Sequence, residues 1–187
     1  MRKPSPALLM LLMAIGLTGY GLWIPAKAEL AQWLLKDAWQ KTLLDGRKQK
    51  PWNRADHWPV ARLTAPDAGI EQIVLEGDSG NVLAFAPGHN SQSGMPGDDV
   101  AIIISGHRDT HFSFLRELQQ GQQLHLQTVK GDFHYTVIKT QIVDSRMIRL
   151  APQLTNEQLV LVTCYPFDSP VAGGPLRYVV IAEPVTR

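Results

Sequence analysis

The chain is short of cysteine, short of charge and free of repetition. Cys164 is the single cysteine among 187 residues, so no internal disulfide can form and a small disulfide-stapled scaffold is excluded. Lys and Arg number 18 against 17 Asp and Glu, a formal net charge of +1, which leaves no broad basic face and argues against nucleic acid as a partner. No internal period of the kind that builds solenoids or propellers is visible, and no low-complexity tract. What is left is one compact domain with an N-terminal attachment.

Charge is also missing locally. After Arg2 and Lys3 no charged residue occurs from Pro4 to Ala26, and the apolar stretch runs from Ala7 to Ile24. At ~1.5 Å per residue this makes a helix of roughly 27 Å, about one hydrocarbon thickness. Residues 1–27 are therefore expected to be a cytoplasmic tip and a transmembrane signal-anchor, with Arg2 and Lys3 inside and everything after Lys27 outside. A cleaved signal peptide is the competing reading, since Ala26-Lys27-Ala28 has the small-x-small form of a cleavage site. Both readings export the domain. In an oxidising compartment a lone thiol is a liability unless its chemistry is needed, whereas a buried cysteine can also serve as a small hydrophobe.

Residues 28–58 form the second region. Ala31, Leu35, Ala38, Trp39 and Leu43 fall on one helical stripe with Gly46 as a stop, which predicts an amphipathic helix from Ala28 to Leu44. It is either a stalk at the membrane surface, suited by Trp33, Trp39, Lys36 and Lys41, or a helix packed on the domain. Asp45 to His57 is polar and reads as a linker, with His57 at the surface.

The third region, 59–187, carries short β-prone runs separated by turns. Strands are expected at Val60–Leu63, Ile70–Leu75, Val100–Ser105, Gln123–Val129, Phe133–Val143, Gln158–Cys164 and Leu176–Ile181, with a short one near Asn81–Phe85. Helical turns are expected at Ser113–Leu118 and Thr155–Gln158, and His89 is expected at the surface. Seven to eight strands with few helices make the fold mainly β, a closed or nearly closed barrel that removes exposed edges.

Three runs carry the chemistry. Ala101-Ile-Ile-Ile-Ser-Gly-His puts His107 just past a buried strand, Leu159-Val-Leu-Val-Thr-Cys puts Cys164 at the end of another, and Arg177 begins the last strand. If the Cys strand and the last strand are antiparallel neighbours, Cys164 and Arg177 share a rim. A free thiol titrates near ~8.5, so a proton partner such as His107 is needed to form thiolate. The guanidinium of Arg177 cannot act as a base, but its fixed fork can hold an oxyanion or a substrate backbone.

These residues resemble the sortases, cysteine transpeptidases that act on surface proteins outside the bacterial membrane. The family's Cys motif is often T-L-x-T-C, and Val160-Leu-Val-Thr-Cys matches it at Leu161, Thr163 and Cys164, with Val160 in place of the leading Thr. Gly106-His-Arg-Asp-Thr-His-Phe is similar to the family's histidine segment, and Arg177, thirteen residues after Cys164, matches its arginine. The spelling of the three motifs looks most like the branch found in proteobacteria, and the resemblance covers about Val60 to Glu183.

The resemblance implies a sortase-like barrel over 59–187 in which Cys164 attacks the threonine carbonyl of a partner's C-terminal LPxTG-like motif and forms a thioacyl-enzyme. His107 would protonate the departing amine and deprotonate the incoming one, and Arg177 would position the motif and stabilise the oxyanion. Thr163, Tyr165 and Phe167 are then candidate substrate-binding residues, the aromatic pair being equally compatible with core packing, and Asp109 is a candidate orienter of His107 or an exposed turn residue. The acceptor is an amine of unspecified identity, and no cofactor or metal is implied. His107, His111 and Cys164 could alternatively hold zinc, but no fourth ligand stands out. The other classes left open are a non-catalytic periplasmic binding barrel and a cysteine transpeptidase acting on cell-wall peptides.

Overall fold

The computed structural model describes residues 5–147, 157–171 and 173–185. Among them the chain forms a long helix, α1 (Pro6–Asp45), followed by β1 (Pro59–Ala65), β2 (Ile70–Glu76), a one-turn α2 (Gly80–Leu83), β3 (Gly88–His89), β4 (Ile102–Ser105), β5 (Gln123–Thr128), β6 (Gly131–Asp144), β7 (Leu159–Cys164) and β8 (Leu176–Pro184). Two 3-10 turns, Pro66–Ala68 and Ser113–Glu117, complete the described elements. The eight strands close into a barrel, as expected, and their order is β1-β2-β3-β4-β7-β8-β6-β5.

Alternation explains the closure. Ala61, Leu63 and Ala65 of β1 and Leu124 and Leu126 of β5 point inward, where they meet Ile102 and Ile104 of β4, Leu159 and Leu161 of β7, and Val180 and Ala182 of β8. The intervening residues of the β4, β7 and β8 strands, Ile103, Val160, Val162 and Val179, form a second buried cluster on the opposite face. That double burial is why β4 and β7 read as continuous apolar runs. Phe112, Phe114 and Leu115, around the second 3-10 turn, plug the interior.

In the second region the helix takes the packed form of the two expected, and the linker expectation fails. Leu35, Ala38, Trp39 and Thr42 of α1 are buried, and Leu35 and Trp39 pack on Ile73 and Leu75 of β2 and on Val82 and Ala86. The helix is docked on the barrel rather than held off as a stalk, although Trp33 is exposed. The 45–58 segment is a packed strap, not a free linker. Its Ala55 is buried and His57 is only 2% exposed, with the imidazole against Trp52 and Phe85 at ring-centroid distances of 5.3 and 5.4 Å. Among the described residues no helix is long and apolar enough to cross a membrane.

Two further expectations are corrected. Asn81–Phe85 is not a strand: the chain turns as α2, which directs Val82 onto Trp39 and brings Phe85 beside it. His89 is not at the surface. It lies in the two-residue β3, 5% exposed, with Nε2 2.9 Å from the Gly94 carbonyl and Nδ1 3.4 Å from Glu76. The turn expected at Thr155–Gln158 begins outside the described residues.

Candidate active site

The register of three adjacent strands sets the positions. Strands β4 and β7 run parallel with Ile102 opposite Leu159 and Ser105 opposite Val162. The Gly106 amide continues that ladder by donating to the Val162 carbonyl at 3.1 Å, so His107 falls level with Cys164. On the other side β7 and β8 are antiparallel, and their last pair is Cys164 with Arg177. With strands ~4.8 Å apart, His107, Cys164 and Arg177 form one row on the barrel rim with the cysteine in the middle. The rim shared by Cys164 and Arg177 is as expected.

Each member of the row is held by its backbone. Thr163 is 2% exposed and its hydroxyl donates to the Gly106 carbonyl at 2.7 Å, which ties the residue before the nucleophile to the residue before the imidazole. Its side chain is thereby committed to the framework and not to a substrate groove. The Phe112 amide donates to the His107 carbonyl at 2.9 Å. Gly106 is required here, because a Cβ would stand 2.7 Å from Cγ of the fully buried Phe112 ring.

Cys164 is a free, half-buried thiol, His107 is exposed and Arg177 is half-buried. Nη1 of Arg177 donates to the carbonyls of Gly174 and Leu176 at 2.7 and 2.9 Å, and its Nη2 and Nε edges have no partner among the described residues. The backbone beyond the thiol offers no substitute donor: the Tyr165 amide is spent on the Leu176 carbonyl at 3.1 Å, and Pro166 has no N–H. Arg177, with those edges unpaired, is the residue opposite Cys164 in the ladder.

The remaining candidates fall into two groups. Tyr165 and Phe167 are half-buried and pack around Tyr178, the first stacked and the second edge-on, with ring centroids 6.3 and 5.2 Å from it, so they form an aromatic wall beside the thiol. Phe167 also packs against the main core. Asp109 is exposed and accepts a bond from Nε of Arg108 at 3.2 Å; none joins it to His107 among the described residues. His111 is half-buried, and burial first, then the charge of His107, holds its pKa below the usual imidazole value. Among the described residues no group of three or more His, Cys, Asp or Glu side chains is placed to hold a metal ion.

Arg108 is the residue that sequence reasoning left without a role. Its side chain is only 4% exposed, and its guanidinium donates to the carbonyls of Pro166 at 2.6 Å, Ser169 at 2.7 Å and Val171 at 3.0 Å. It thus reaches from the histidine segment across to the loop that follows the nucleophile. The signal was present in that loop itself: a Pro- and Gly-rich connection with no ladder of its own needs donors for its carbonyls.

The family model described as the Sortase domain matches residues 63–185. Sortase D of Bacillus subtilis (strain 168) is 39% identical over 127 residues, 66% of this chain and 63% of that protein, so the match spans less than two thirds of the relative's length. Among solved structures, a Clostridium perfringens sortase D5 transpeptidase aligns over 84% of this chain and 99% of its own, with a TM-score of 0.67 and 20% identity. Sortase A from Corynebacterium diphtheriae aligns over 90% and 89% with a TM-score of 0.63, also at 20% identity. At that level of identity these two speak for the fold.

Proposed function

The chain belongs to the sortase family, and from that premise we propose that it is a membrane-anchored cysteine transpeptidase that cleaves a C-terminal LPxTG-like sorting motif of a partner protein and passes the acyl group to an amine. The observation that carries the reading is the row itself, with Cys164 paired to Arg177 on one side and level with His107 on the other.

The chemistry follows from the positions. The Cys164 thiolate adds to the threonine carbonyl of the motif, and the oxygen takes the negative charge beside the open edge of Arg177. Collapse breaks the C–N bond while His107 gives its proton to the departing amine, leaving a thioacyl-enzyme. An incoming amine then loses a proton to His107, forms the new amide bond and returns the thiolate; water in its place gives hydrolysis. Tyr165 and Phe167 form the wall along which the motif lies.

The uncharged stretch Ala7 to Ile24 supports a single-pass anchor in the cytoplasmic membrane with the catalytic domain on the periplasmic side. Placement in the proteobacterial branch rests on motif spelling alone.

The test is incubation of the full chain with two peptide classes, LPxTG-like sorting peptides and D-amino-acid wall stems, followed by mass spectrometry of Cys164. A thioacyl adduct with the sorting peptide, absent in Cys164→Ala, is the expected result. An adduct only with wall stems would move the enzyme to cell-wall cross-links. Stoichiometric zinc uptake with no adduct from either class would make it a binding module.

A further inference from the structure

Two histidines that the catalytic row does not use stand side by side on the outside of the barrel. His125 of β5 and His134 of β6 are direct cross-strand partners, and their rings lie 4.3 Å apart between centroids at 77°. The pair is of the non-hydrogen-bonded kind. The His134 carbonyl is turned toward β8, where it accepts from the Val185 amide at 2.8 Å, and three positions along the Val137 amide donates to the Gln122 carbonyl at 2.9 Å, as the alternation requires. Such pairs bring their side chains closest, with Cβ atoms ~4.5–5.5 Å apart.

Two imidazoles at that spacing can reach one cation. With Zn–N bonds of about 2.0–2.1 Å and a tetrahedral angle, two coordinated rings have centroids about 5 Å apart, so a small rotation of the exposed His134 side chain is enough. Among the described residues each ring contacts the other and makes no hydrogen bond of its own, whereas the imidazoles of His57 and His89 are committed to Asp56, Glu76 and the Gly94 carbonyl. Charge favours a cation as well. Asp132 is exposed, lies on the same face two residues before His134, and is close enough for its charge to act on His125. The neighbouring cations are already neutralised, Arg62 by Glu71 at 3.5 Å and Lys130 by Asp98 at 3.3 Å, while Asp132 has no ion pair among the described residues. A cavity of about 480 Å³ lined by Asp132 and His134 leaves room for water.

We propose that the His125–His134 pair binds a borderline divalent cation of the late first row, zinc above all, through two imidazole nitrogens, with water in the remaining positions and Asp132 supplying charge beside them. The site is a clip on the fold and not a catalytic centre. Counted along β8 from Arg177 to Val185 at ~3.3 Å per residue, it lies roughly 26 Å from the row at the rim. What it fastens is the closure of the barrel, because β5 joins β1 over only three paired positions, Arg62 to Thr64 against Gln127 to His125.

The test titrates the full chain, carrying no affinity tag, with zinc alone, read by calorimetry and by thermal unfolding. Cys164→Ala is titrated alongside, since His107, His111 and Cys164 are the competing set. The unaltered chain and Cys164→Ala should bind zinc alike, and zinc at ten times its Kd should raise Tm by about 3–6 °C. His125→Asn and His134→Asn should each weaken binding at least tenfold and remove the rise in Tm, and Asp132→Asn should weaken it several-fold. The Tm of each variant without zinc, together with an unchanged rate of thioacyl formation on Cys164 in His134→Asn, separates loss of the site from loss of the fold. No zinc uptake by the unaltered chain would overturn the inference. So would undiminished uptake in both histidine variants, or loss of uptake in Cys164→Ala.

Discussion

Replacing Arg108 by alanine should cripple the first chemical step while leaving the barrel folded. Its guanidinium makes three bonds to the carbonyls of Pro166, Ser169 and Val171, all 3.0 Å or shorter. At ~1.5–3 kcal/mol for each bond from a charged donor, they are worth about 5–9 kcal/mol together. Ordering the 166–171 backbone costs ~1–2 kcal/mol per residue, so these three bonds offset much of that cost, beside the packing of Phe167 on the core and the bonds of Ser169 with Pro166 and Val171. The loop's ends stay pinned by the bond from the Tyr165 amide to Leu176 and by the ladder of β8, which limits the disorder released. A residual reordering penalty of about 2–3 kcal/mol gives a fall of about 100-fold in kcat/KM for thioacyl formation. The assay is single-turnover adduct formation on Cys164, with hydrogen exchange of 165–171 read alongside. Arg108→Lys keeps the charge but cannot span three carbonyls, so it should fall between the alanine variant and the parent. A kcat/KM for Arg108→Ala within about twofold of the parent, in a folded protein, would refute the reasoning.

Three further outcomes follow from the same coordinates. Gly106→Ala places a methyl group 2.7 Å from the immobile ring of Phe112, so it should cost ~1–3 kcal/mol in chemical denaturation and displace His107; parent-like adduct formation would show that the backbone there can yield. Thr163→Val keeps shape but leaves the Gly106 carbonyl without its 2.7 Å partner, an expected loss of ~1–2 kcal/mol in urea unfolding. His111 has its folded pKa lowered by burial and by His107, while the unfolded chain takes that proton near ~6.5. Below that pH the unfolded state binds more protons, so stability falls as the solution is acidified toward the folded value. His111→Gln should flatten the stability profile over this window, and an unchanged acid slope in urea titrations would count against the assignment.

The barrel was legible because its strongest signals are local. The alternation of β1 and the unbroken apolar runs of β4 and β7 follow from one-sided and two-sided burial, which sequence period reports directly. The pairing of Cys164 with Arg177 was legible from the short connection between their strands. The level of His107 was legible only through motif resemblance, because a parallel partner more than fifty residues away leaves no local mark. His57 and His89 were misread because their burial is set by partners elsewhere in the chain, Trp52 and Phe85 for one, Glu76 and Gly94 for the other. The segment Asn81–Phe85 was misread for a related reason: five apolar-rich residues carry too little periodicity to choose between strand and helix, and the docked face of α1 decides.

The two ties across the row act at different heights, and that has a kinetic consequence. Beneath the rim the Thr163 hydroxyl joins β7 to Gly106; above it Arg108 joins the residue after His107 to the loop after Cys164. The His107 backbone is thus gripped on both sides while its side chain stays exposed. A catalyst that must give a proton to one amine and take it from another needs its imidazole to serve two positions. In this framework the change is a side-chain rotation, which for an exposed residue takes picoseconds to nanoseconds, and not a loop movement of microseconds or more. On the proposed transpeptidase reading, exchange of the two amines, rather than rearrangement of the enzyme, is then the event that separates the half-reactions. Turnover should accordingly rise with acceptor concentration until thioacyl formation limits it.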